Sequence, residues 1–168
     1  MTAETALPRT SPLHAWAGRF ADLPAGVELA EEPFVSMVDV RGAAPGLPTT
    51  ASTFVRCATT AIWMGPDEWL VTGAAESDLR GPDVTTVDVS AQRTTLRLRG
   101  AHARDVLETG CAVDLHPRSF PPGSAVQTII GGAGVILLAE DDGYRVLVRA
   151  SFAAHLAAWL EDAAMEHR

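Results

Sequence analysis

The sequence contains no lysine, two cysteines and no apolar run of the length a membrane needs. A membrane-spanning helix takes about 20 consecutive apolar residues, so no span is expected. The opening stretch MTAETALPRTSPLHAW has no cationic start followed by an apolar segment, so no secretory signal is expected either. Cys57 and Cys111 lie far apart. Without an export signal, free thiols and a cytoplasmic setting are the expectation. Positive charge is scarce, with 13 basic residues against 21 acidic ones and a net charge of −8. Nucleic acid and anionic membrane both call for a cationic face, which this balance argues against. The missing lysine matters at Gly131-Gly132-Ala133-Gly134. That run looks like a phosphate cradle, but it has no lysine and leads into a strand instead of a helix, so it reads as a tight hairpin turn. No G-x-G-x-x-G dinucleotide fingerprint occurs. Of the five histidines (His14, His102, His116, His155 and His167), none pairs with another histidine or cysteine at helical spacing, so no metal site is expected.

What is present supports a sizeable core: 168 residues, 47% of them hydrophobic. Residues 1–33 read as loosely structured, because Pro8, Pro12, Pro24 and Pro33 interrupt any long element, with room for a short helix from Ser11 to Phe20. Residues 34–80 read as a β-rich subregion. FVSMVDVRG and STFVRCA are its first strands, and AIWMG and EWLVTG form a hairpin about Pro66-Asp67 that carries Trp63 and Trp69. Residues 84–164 read as a β-α-β-β-β-α subregion. In TTLRLRG, Leu96 and Leu98 face in while Arg97 and Arg99 face out. AHARDVLETG is a short helix with Gly110 placed for a left-handed cap. The last helix is expected to start at a Ser151 cap and to bury Phe152, Leu156, Trp159, Leu160 and Ala163. The fold class is α+β: antiparallel sheets with packed helices in one compact unit.

The segment GCAVDLHPRSFPPG (110–123) concentrates chemistry-bearing residues between glycine and proline. Cys111 follows a helix C-terminus, whose negative end disfavours a thiolate, so it reads as a small core residue and not a nucleophile. Asp88 and Ser90 read as turn and cap residues, since nothing marks a nucleophile elbow. Cys111 and Leu115 are expected to pack inward. His116, Arg118 and Phe120 are expected to face outward as a partner-contact surface, joined by Trp63 and Trp69, which are expected to be partly exposed on their hairpin. A proline-stiffened loop loses little entropy on docking, which favours such use.

Three segments together carry a resemblance: GPDEWLV (65–71), VDVSAQRTTLRLRGAHARDVLETGCAVDLHPRSFPPGSAVQT (87–128) and LVRASFAAHLAAWL (147–160). They are similar to the gamma-subunit family of heterotetrameric sarcosine oxidases, which in turn resembles the folate-binding domain of the glycine-cleavage aminomethyltransferases. The resemblance implies a non-catalytic subunit with no cofactor of its own. Alpha, beta and delta subunits would be its partners, and FAD, FMN, NAD and tetrahydrofolate would sit on them. The aminomethyltransferases carry an acidic pair on the strand after a Gly-Gly turn, where Leu137 and Leu138 stand here. Leucine offers neither proton nor charge. A stand-alone folate-binding protein and an assembly factor for another flavoenzyme remain alternatives. The folate-dependent iron–sulfur assembly proteins match less well, because Cys111 sits in TGCAVD without their lysine, aromatic and glutamine.

Overall fold

Alternation in β7 (Arg93–Arg99) organises the first of two antiparallel sheets in this computed structural model, which describes residues 9–44 and 46–168. Pro8 and Pro45, both in stretches read above, lie outside the described residues. Leu96 and Leu98 are fully buried on one face of β7, and Arg97 and Arg99 point to the other. The sheet runs β1-β7-β10-β9-β8, with β1 at Glu28–Glu32, β8 at Ala125–Ile130, β9 at Ala133–Glu140 and β10 at Gly143–Arg149. Gly131 and Gly132 join β8 to β9 with φ of 54° and 82°, the left-handed pair a two-residue hairpin requires. That turn is as the sequence implied.

Three helices cover the leucine face: α1 (Ala17–Ala21), α2 (Ala103–Glu108) and α3 (Ala153–Met165). Leu96, Leu98, Val106, Leu107, Leu137, Val146, Leu156 and Leu160 form the centre of this core. Two features of α3 differ from expectation. Its cap position is Phe152, with no side-chain cap bond, and Ser151 lies in the preceding single turn. Phe152 is 47% exposed and leaves the expected stripe, because it precedes the first helical residue. Gly110 also differs. It does not adopt a left-handed conformation; its missing side chain makes room for Trp159, whose Cζ2 would lie 2.6 Å from an added Cβ.

The second sheet runs β3-β4-β5-β2-β6, from β2 (Met37–Gly42), β3 (Phe54–Arg56), β4 (Thr60–Gly65), β5 (Glu68–Thr72) and β6 (Val84–Asp88). Met37, Ile62 and Leu70 on its inner face meet Ala125, Ile136, Leu138 and Leu147 of the first sheet. Its outer face buries Val38, Val40, Ala61, Trp69 and Val71 beneath Leu47 and Leu79.

This topology corrects the linear division of the chain. Residues 28–32, expected to be loosely structured, pair with β7 along the edge of the first sheet. Their sequence, ELAEE, shows no apolar alternation because the carboxylates of Glu31 and Glu32 are held by polar partners: Thr94 for the first, Arg97 and Arg145 for the second. β6, assigned to the C-terminal subregion on sequence, pairs with β2 and belongs to the second sheet. Each sheet therefore takes strands from both the residues before 81 and the C-terminal region.

Candidate functional site

The 110–123 loop is built around Asp114. Its carboxylate accepts from the His116 backbone N–H at 2.9 Å and from the Ser119 hydroxyl at 2.6 Å. The Phe120 N–H then bonds the His116 carbonyl at 2.9 Å, closing a turn that turns one end inward. His116 and Arg118 are exposed, as expected, and Leu115 is buried. Phe120 contradicts the expectation. It is 6% exposed and packs in the helix-side core, so it is not an outward contact. Burying a phenyl ring recovers more free energy than any solvent-facing position gives it, and the turn at Asp114 directs it there. Cys111 is half-buried, bridged to Ile130, and both cysteines are free.

The two bonds to Asp114 hold its carboxyl below the ordinary carboxylate range, chiefly through the Ser119 hydroxyl and then the His116 N–H. A depressed folded-state pKa adds stability above the unfolded value, and that stability is lost as pH falls through the folded value. The Asp114 midpoint, followed by NMR, is therefore expected below the usual value of about 3.9, with His116 amide protection lost only in that acid window. An ordinary midpoint with unchanged amide protection would contradict this geometry.

The tryptophans of the hairpin divide. Trp63 is half-buried, but Trp69 is 6% exposed and its indole Nε1 donates to the Pro48 carbonyl at 2.7 Å. The expected partial exposure of Trp69 is thus corrected: the loop preceding β3 folds over it and satisfies its one polar atom. Asp88 and Ser90 act as a turn, as read. The Ser90 N–H donates to Asp88 at 2.8 Å, and Ser90 Oγ accepts from the Met37 N–H at 2.9 Å.

Sequence reasoning missed a charged cleft of about 520 Å³ at the open end between the sheets. Phe54, Arg56, Arg97, Glu140 and Asp142 line it together with the backbone at Pro122-Gly123, beside the loop. Glu140 is its hub. Its side chain is 4% exposed, Arg56 Nη1 lies at 2.7 Å, Arg145 Nη1 at 3.4 Å and Arg97 Nη2 at 3.6 Å. Glu32 takes the second side of Arg145 at 2.9 Å, and Asp142 pairs with Arg99 at 2.5 Å. Arg97 and Arg99, read as outward, do point away from the leucine core, but Arg97 is only 25% exposed within this ion cluster. The lining carries guanidinium and carboxylate groups with no hydroxyl, thiol or imidazole. Its central carboxylate, Glu140, is engaged by three guanidinium groups, an arrangement that orients and recognises.

Five comparisons bear on this geometry. A family model described as "Sarcosine oxidase, gamma subunit family" matches residues 29–166. The sarcosine oxidase subunit gamma of Corynebacterium sp. (strain U-96) is 37% identical over 119 residues, which are 64% of this chain and 57% of that protein. The Arthrobacter sp. protein of the same name is 36% identical over 117 residues, 64% of this chain and 58% of that one. The matched stretch thus spans less than two thirds of these relatives. A chain in the structure "Heterotetrameric Sarcosine Oxidase from Corynebacterium sp. U-96 in complex with pyrrole 2-carboxylate" superposes with a TM-score of 0.85 at 31% identity, covering 95% of this chain and 96% of that one. The glycine cleavage system aminomethyltransferase T from Bartonella henselae gives a TM-score of 0.59 at 17% identity over 92% of this chain and half of that one, a likeness of fold alone. With the family model covering most of the chain and the same two-sheet fold recurring in the oxidase structure, this chain belongs to the sarcosine oxidase gamma subunit family.

Proposed function

We propose that this chain is the gamma subunit of a bacterial heterotetrameric sarcosine oxidase and works by docking on the larger subunits. The observation that carries the reading is the end-to-end structural likeness, 95% of one chain on 96% of the other, to a chain of such an oxidase. The complex would oxidatively demethylate sarcosine in the cytoplasm, giving glycine, hydrogen peroxide and a one-carbon unit released as formaldehyde or passed to tetrahydrofolate. FAD, FMN, NAD and tetrahydrofolate would be held by the alpha, beta and delta subunits. Two features support a role without bond-making. Leu137 and Leu138, which the resemblance sets at the aminomethyltransferase acidic pair, are 0% and 1% exposed and serve different cores. In the charged cleft, Glu140 is tied up by Arg56, Arg97 and Arg145.

The exposed side of the 110–123 loop, His116 and Arg118, is the proposed contact surface, with Trp63 as a second candidate. Co-expression of Arg118→Glu with the larger subunits is expected to lower co-purification several-fold while the melting temperature of the isolated chain is unchanged. Reversal of an interface charge costs several kcal/mol-scale complementarity without touching the core. An unchanged yield would remove the loop from the interface. Tight binding of a reduced folate by the isolated chain, read from tryptophan fluorescence, would favour a stand-alone folate protein instead.

A further inference from the structure

Helix α2 and the end of α3 bring together two potential metal ligands one helical turn apart and a third that is distant in sequence. His102 sits at the start of α2, one turn from Asp105, and its Nδ1 lies 3.2 Å from Asp105 Oδ2. His167 follows α3, and its ring stacks on His102 with centroids 4.6 Å apart and planes 15° from parallel. One ligand atom from each of the three lies within 4.8 Å of the others.

The His102 ring is held in place by its surroundings. Its backbone N–H donates to the Gly26 carbonyl at 3.0 Å. Gly26, at φ 90°, has no side chain, and a Cβ there would stand 2.8 Å from His102 Cδ2. The opposite, Nδ1 edge is therefore the one turned to Asp105. His167 Nε2 is buried and has no hydrogen-bond partner among the described residues. A buried ring nitrogen without a partner is costly unless something occupies it.

We propose that His102, Asp105 and His167 form a three-ligand site for a divalent transition cation of the zinc class. Four-coordinate zinc, with bonds of about 2.0–2.2 Å, sets its ligand atoms about 3.3 Å apart, and the His102–Asp105 pair already has that spacing. The third ligand closes by rotation of the His167 ring out of its stack on His102, because a bound ion lies in the plane of each imidazole and the stacked planes share none. Two imidazoles and one carboxylate suit zinc, cobalt or nickel, whereas calcium and magnesium prefer all-oxygen sets. His102 and Asp105 side chains are 41% and 44% exposed, which leaves the fourth position to water. The cation would clasp α3 to α2 and so fix the last turn of the chain.

The test uses the full chain stripped with chelator and then titrated with ZnCl2, CoCl2 or MgCl2. One equivalent of Co²⁺ is expected to give the strong visible absorption of four-coordinate cobalt. Zn²⁺ at a hundred times its dissociation constant is expected to raise the melting temperature by roughly 5–10 °C. His167→Ala and Asp105→Asn, both at half-buried positions outside the hydrophobic core, are expected to abolish both signals, and His155→Ala to keep them. No zinc-dependent shift, a shift that survives His167→Ala, or an equal shift with magnesium would each overturn the site.

Discussion

Phe120→Ala is expected to destabilise the chain by about 3–5 kcal/mol, because it empties a ring-sized space in the helix-side core. Against a typical total of about 5–15 kcal/mol, that is a large share of the fold's stability. The loss is expected as a lower urea midpoint with an unchanged slope, the signature of a stability change without a change in the surface exposed on unfolding. Phe120→Leu, which keeps most of the buried area, is expected to lose far less. Reduced co-purification with partner chains would follow from unfolding and would be matched by the drop in stability. An unchanged midpoint with selective loss of partner binding would instead restore Phe120 to the outer surface.

Glu140→Leu carries the second large effect. Glu140 is the common anion for Arg56, Arg97 and Arg145, and its side chain is 4% exposed. Removing it leaves guanidinium groups crowded without their shared partner. Breaking a fully buried pair from one side costs about 3–5 kcal/mol. Here Arg56 keeps 47% of its exposure and water solvates it, so roughly 2–4 kcal/mol is expected. Arg56→Ala, which removes the outermost cation and leaves Arg145 and Arg97 on Glu140, is expected to cost less than about 1 kcal/mol. Urea unfolding of the two variants side by side checks the order. Equal, small effects would mean that the cluster is a solvated surface network and not a buried hub.

Turn chemistry was the most legible part of the fold. Gly131-Gly132 and Pro66-Asp67 mark their hairpins because only particular residues fit those backbones. The strands of the C-terminal half and the α3 residues Leu156, Leu160 and Ala163 were legible from period alone. β1 was not, since ELAEE satisfies its carboxylates with arginines and hydroxyls that arrive from distant strands. Period also says which residues share a face, but not what covers that face. Arg97 alternates away from Leu96 and Leu98, yet the face it joins is partly roofed by Arg56 from the second sheet. Loops have no period at all, so Phe120 gave no sign of its inward turn. The cluster of His102, Asp105 and His167 joins two helix ends separated by most of the C-terminal region, a proximity that only the packing of α2 on α3 creates.

The reading of this chain as a docking subunit meets its most direct test when the larger oxidase subunits are expressed with and without it. With the chain present, size exclusion is expected to give one stoichiometric complex that oxidises sarcosine, and without it the larger subunits are expected to be poorly assembled. The chain alone is expected to turn over nothing. Sarcosine turnover by the purified chain, or full assembly and activity of the larger subunits in its absence, would contradict a role confined to docking.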